Sequence, residues 1–192
     1  MSLEEAKTIL KNFNFTDSGD QYLLTRTVIL SGEIDEITVK DITEKLLLLN
    51  YLDTENGITL IIDSYGGDVY SSLFMFDFVN SLKCNVSTIV IGKAMSAAFF
   101  IAIAGTKGKR YITKNATMMN HQISAESIGK LSDMVGEINE CKRLEKVMNR
   151  IIKSHTKCGR KVMQKFLSGD VYFDSRECLK NKFVDAIIDK LP

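Results

Sequence analysis

Three short runs constrain this chain most: Thr27-Val-Ile-Leu-Ser31, Gly57-Ile-Thr-Leu-Ile-Ile62 and Asn85-Val-Ser-Thr-Ile-Val-Ile91 are β-rich and largely apolar. Between them the period changes to that of a helix. Asp41 to Tyr51 brings Ile42, Leu46, Leu47 and Leu49 to helical spacing, and Tyr70 to Leu82 is a stretch rich in Phe and Met. Buried-type strands alternating with helices describe an α/β chain, its parallel sheet covered on both faces and built of βαβ units. Proline would interrupt such elements, and the chain has one, Pro192, at its last position.

The remaining segments extend this plan. Ser2 to Phe13 is expected to be a short helix, since Ser2 and Glu5 form a capping box, and Asn14 to Asp20 breaks it. Ala94 to Ala104 is almost wholly small or apolar, which suits a fully buried helix closed by Gly105. Thr117 to His121 has the makings of a further strand. From Ser127 to Ser154 an apolar stripe runs through Ile128, Leu131, Val135, Ile138, Cys141, Leu144, Met148 and Ile151. A helix of that length, about 40 Å, exceeds what a small domain needs to cover its sheet, so part of it is expected to project. Lys161 to Leu167 is a short helix, Val171 to Phe173 a short strand, and Arg176 to Lys190 a closing helix.

At 192 residues the chain suits one domain, and no linker or repeat divides it. Lys and Arg number 25 against 24 Asp and Glu. With a formal charge of +1, no global field draws nucleic acid or an anionic membrane. No run approaches the roughly 20 apolar residues of a spanning helix. The start, Met1-Ser-Leu-Glu-Glu5, is acidic where a secretory signal is basic. Cys84, Cys141, Cys158 and Cys178 are scattered without metal-ligand spacing, so buried free thiols, no metal and a reducing cytoplasmic setting are expected.

Reactive candidates are few. Ser96 is a polar residue in an apolar run where a strand gives way to a helix; it is either a helix cap or a nucleophile beside free N–H groups. A serine nucleophile needs a base. His121 follows an apolar stretch, at the place where strand ends deliver catalytic groups, whereas His155 follows the long charged helix as a solvated terminal residue. Spacing alone does not separate Asp170 from Asp174 or Asp185 as an orienting carboxylate. Gly66-Gly67, between a strand and a helix, is either a plain tight turn or a place where backbone N–H groups meet an anion.

These pieces occur together and in a familiar order: Thr27-Val-Ile-Leu-Ser-Gly32, Ser64-Tyr-Gly-Gly67, Gly92-Lys-Ala-Met-Ser-Ala-Ala98, Ala104-Gly-Thr-Lys-Gly-Lys-Arg110, Met119-Asn-His-Gln122, and Gly169-Asp170 leading to Phe183-Val-Asp185. From about Leu23 to Leu191 the chain resembles the proteolytic subunits of the ATP-dependent Clp protease, which are serine peptidases. The resemblance implies residues 21–192 as the peptidase domain and residues 1–20 as an N-terminal, axial or gating segment. It implies a crotonase-like spiral of βαβ units with the long helix as a protruding handle. It places the nucleophile on Ser96, the general base on His121, the orienting acid on Asp170 and the oxyanion hole on the N–H groups of Gly67 and Ala97, with no cofactor. It also implies two stacked seven-membered rings of this chain, a Clp-type AAA+ unfoldase ATPase as partner, and unfolded polypeptides as substrates.

The chain departs from the family pattern in several places. Tyr65 stands where Pro usually precedes the glycine pair, Ile123-Ser-Ala-Glu126 where a Pro and a glycine-rich stretch follow the histidine, and Val171 where Arg often follows the acid. Thr59 and Ile61 replace aromatic residues of the ATPase-docking strand. Two alternatives remain: a catalytically inactive subunit of a mixed ring, and a crotonase-type acyl-CoA enzyme, whose chemistry needs no Ser–His pair.

Overall fold

The computed structural model describes Thr8 and residues 18–191; apart from Thr8, which is helical, the expected helix from Ser2 to Phe13 lies outside the described residues. A 3-10 segment, Ser18–Thr25, leads into β1 (Thr27–Ile34), α1 (Glu36–Leu52), β2 (Ile58–Gly67), α2 (Val69–Ser81), β3 (Val86–Met95) and α3 (Ala97–Ile103). Then come β4 (Arg110–Thr113), β5 (Thr117–Asn120), α4 (Leu131–His155), α5 (Arg160–Phe166), β6 (Val171–Phe173), α6 (Ser175–Lys180) and β7 (Ala186–Ile188). Strands run in the order β1-β2-β3-β4-β7, each neighbouring pair parallel. The chain is thus α/β, as the alternating pattern predicts.

β3 has two successive partners on one edge. Its first part, Thr88 to Val90, pairs with β4, and its last part, Lys93 to Met95, pairs with β5. β5 in turn carries the antiparallel β6. The end of β3 therefore meets a short two-stranded branch of the same sheet, and that junction positions the candidate site.

Local chemistry explains the element starts. The Asp35 carboxylate accepts from the Thr38 N–H and starts α1 at Glu36, five residues before the expected Asp41. Asp68 does the same for α2 through the Ser71 N–H. β1 passes through Gly32, at φ +85, instead of ending there, with a register shift between Ser31 and Glu33.

β1 and β2 are not covered on both faces as expected, unlike β3, where the successive residues Thr88, Ile89 and Val90 are all buried. Val28, Leu30, Ile58, Leu60 and Ile62 are buried beneath α1 and α3, while the alternate residues Ile29, Thr59 and Ile61 are only partly covered. Period-two alternation along β2 marks a half-covered sheet, and its β-branched residues hid it in the sequence.

β4 has no counterpart among the expected elements, and one further expectation fails: the closing helix from Arg176 to Lys190 is instead the short α6 followed by β7. The helix stops because Lys182 adopts φ +58 and Phe183 and Val184 turn into the core. Asp185 is then drawn to Arg110, which starts β7 along β4. Of the cysteines, Cys84 and Cys178 are buried, but Cys141 and Cys158 are partly exposed. Burial pushes the Cys178 thiol up to about 12.

The long helix is present as α4. Its C-terminal half packs through Leu144, Met148 and Ile152, whereas Leu131, Val135 and Ile138 in the N-terminal half are 77%, 48% and 49% exposed.

Candidate active site

Ser96 is the single residue between β3 and α3, at φ 52 and ψ −119. Side chains other than glycine rarely occupy this region, at a cost of about 1–3 kcal/mol, so the surrounding hydrogen bonds must hold it. The Ser96 N–H donates to the Met119 carbonyl at 2.9 Å, and the Ser96 carbonyl accepts from the Phe99 N–H at 3.0 Å. The expected helix from Ala94 starts only at Ala97, because the chain is still strand through Met95. The Ser96 hydroxyl makes no capping bond to α3, which removes the simpler reading of this serine. Its Oγ instead lies 2.8 Å from Nε2 of His121.

The sheet register explains that contact. Met95 pairs with Met119, so the residue after β5, His121, stands beside the residue after β3. Asn120 pairs with Val171 across β5 and β6, which brings Asp170 to the other edge of the imidazole. Nδ1 of His121 is 3.8 Å from Oδ1 of Asp170, too long for a hydrogen bond, and the Asp170 side chain is 53% exposed.

The competing carboxylates are committed elsewhere. Asp174 caps α6 in a capping box with Glu177. Asp185 accepts from Arg110 Nε and an Arg110 terminal N–H, both at 2.9 Å, and from the Gly108 N–H at 2.8 Å. Burial pushes its carboxyl up, but the bonds from Arg110 outweigh that and hold it below the usual range. The other histidine is not the solvated residue expected: His155 sits edge-on to Phe76, ring centres 4.9 Å apart, and its carbonyl accepts from Arg110.

Gly66 and Gly67 are the last residues of β2, not a tight turn. At Gly66, φ +107, an added Cβ would stand 2.6 Å from the Met95 carbonyl, 2.8 Å from Ser96 Cβ and 3.0 Å from the Ala97 nitrogen. The glycine thus lets β2 approach the Ser96 turn. Gly67 pairs with Ile34, whose backbone a Cβ would strike. Ala97 opens α3, so its N–H has no acceptor inside that helix.

Sequence reasoning missed Asn120. It is 3% exposed, and its Oδ1 has no hydrogen-bond partner among the described residues, beside a cavity of about 20 Å³ between β5 and α4 that Glu145 and Asn149 also line. A polar residue directly after the buried Met118 and Met119 was the available signal. Tyr65, at the usual proline position, is exposed, with the Lys93 ammonium 4.3 Å over its ring and bonded to Asp63 at 2.8 Å. Among the described residues, no group of three or more His, Cys, Asp or Glu side chains is placed to hold a metal. No described helix is long and apolar enough to cross a membrane.

The class the geometry defines is an α/β protein in which neighbouring strand ends deliver a serine hydroxyl into contact with an imidazole. The Clp protease family matches residues 11–191, and the chain belongs to that family. It is 30% identical over 188 residues to the ATP-dependent Clp protease proteolytic subunit 3, chloroplastic, of Arabidopsis thaliana. The matched region covers 98% of this chain and 61% of that relative, so the chain spans about three fifths of the relative's length.

Proposed function

We propose that the chain is a serine endopeptidase subunit of an ATP-dependent Clp protease. The observation that carries this reading is the 2.8 Å contact between Ser96 Oγ and His121 Nε2, held at a strained turn with no capping role for the serine. His121 Nε2 takes the hydroxyl proton as Ser96 attacks the peptide carbonyl and gives it to the leaving amine as the C–N bond breaks; water activated at the same nitrogen then hydrolyses the acyl-enzyme, releasing the carboxylic acid product and returning the proton to Ser96. Gly67 and Ala97 N–H groups receive the oxyanion. Asp170 steadies the imidazolium once it closes the present 3.8 Å gap.

In this reading α4 is the handle of a crotonase-like spiral, and its exposed Leu131, Val135 and Ile138 join two seven-membered rings. A Clp-type AAA+ unfoldase feeds unfolded polypeptide into the chamber. Free thiols at all four cysteines suit a reducing compartment. Fluorophosphonate labelling tests the chemistry: stoichiometric modification of Ser96, abolished in His121→Ala, is expected. Mass measurement should give a particle many times 21.6 kDa. A second reading, an inactive subunit of a mixed ring, draws on the open His121–Asp170 gap; an assembled particle that neither labels nor cleaves short peptides would establish it.

A further inference from the structure

At the end of the sheet opposite Ser96, a cavity of about 780 Å³ opens between the starts of β3 and β4, the end of α4 and the loop after α6. That volume is within the range of small-molecule sites, about 300–1,000 Å³. Lys83, Lys107, Lys157, Lys182 and Arg110 line it, against one carboxylate, Asp185. Asp185 is already taken by Arg110 and by the Gly108 N–H. Five cationic side chains against one acid leave four charges unbalanced, in a chain whose overall formal charge is +1.

The four lysines come from four different loops, so no single helix face or basic run accounts for their convergence. The loops are fastened together: the Lys157 N–H donates to the Asn181 carbonyl at 2.8 Å, and Lys182 is locked in the left-handed region at φ +58. Among the described residues none of the four has a carboxylate within 4.0 Å. Like charges gathered in a concavity raise its potential and concentrate anions there.

We propose that this cavity binds an oligophosphate. A single small anion cannot span a space of this size, whereas a chain of phosphates engages several ammonium groups at once, and lysine is a ready phosphate partner. The site is separate from the proposed peptidase centre, and its test needs no activity.

The experiment is titration calorimetry on the full chain at low ionic strength, with inorganic tripolyphosphate in one arm and a nucleoside triphosphate in the other. Saturable one-to-one binding is expected, weakening as salt is added. Lys157→Ala and Lys182→Asn should each lower affinity roughly tenfold, the effect of one lost charged hydrogen bond. Asparagine keeps the left-handed backbone at 182 accessible, and unchanged melting temperatures show that both variants are folded. Ser96→Ala should bind as the parent does, so this result and the peptidase test stand or fall separately. Tighter binding of the nucleoside form would place its base on the apolar wall, and equal binding would assign the site to phosphate alone. Failure of both ligands to bind at millimolar concentration, or affinity unmoved by the lysine substitutions, would overturn the proposal.

Discussion

The Arg110–Asp185 pair at one end of the parallel sheet and the Ser96 turn at the other are built on opposite principles. At the end where β4 starts, every polar group of the Arg110–Asp185 pair is engaged: Nε and one terminal nitrogen of the guanidinium bond the carboxylate, and the other bonds the His155 carbonyl. At the end where β3 stops, Ser96 is held at φ 52, Asn120 Oδ1 has no partner among the described residues, and Asp170 stands 3.8 Å from the His121 imidazole. Saturated bonding gives stability at the ion pair, while the lysines around it stay unpaired among the described residues. Strain and unused bonding capacity at the Ser96 turn suit the reactive centre proposed there, and the sheet between them keeps both in place.

The comparison is sharpened most by Gly66→Ala. The methyl would meet the Met95 carbonyl and Ser96 Cβ, displacing the serine turn by a fraction of an ångström, and fluorophosphonate labelling is expected to fall on the order of 100-fold. Labelling at the parent rate would show that β2 does not set the position of Ser96.

At the other end, Asp185→Ala leaves the buried Arg110 without its acid, and urea unfolding should show a loss of about 3–5 kcal/mol. The pH dependence has a definite sign. Because the folded carboxyl titrates below its ordinary value, the pair's stabilisation is complete above the unfolded value of about 4 and disappears as pH falls through the lower, folded one. The parent should lose stability in that acidic window, and a variant that lost it equally would remove Asp185 from the account.

Smaller changes of opposite sign are expected at the reactive end. Ser96→Gly relieves a backbone that glycine tolerates and should stabilise the chain by about 1 kcal/mol while labelling vanishes. Asn120→Leu removes an amide oxygen without a partner and should raise the melting midpoint, with a gain of about 1 kcal/mol. A fall in midpoint for both would show that the reactive end is not where strain is held.

Much of the fold was legible because its signals are local. The runs in β1, β2 and β3 and the helical periods of α1, α2 and α4 stand in the sequence, and Ser96 was visible as a polar residue within an apolar run and His121 as one ending an apolar stretch. What escaped depends on distant partners. β4 begins with an arginine that is tolerable in the core only because Asp185, far along the chain, comes to meet it. The same pairing set a strand where a closing helix was expected.

By itself the sequence determined an α/β chain of alternating strands and helices, a long helix exceeding its packing surface, and a short set of reactive residues in the order of the Clp protease family. Only the tertiary structure decided which residues meet. The register of β5 on β3 set His121 against Ser96, that of β6 on β5 brought Asp170 to 3.8 Å from the imidazole while Asp174 and Asp185 are bound elsewhere, and four loops gathered lysines that composition had averaged to near neutrality. Period and propensity are properties of neighbours in the chain, whereas contact between strand ends is set by register, which only the packed sheet fixes.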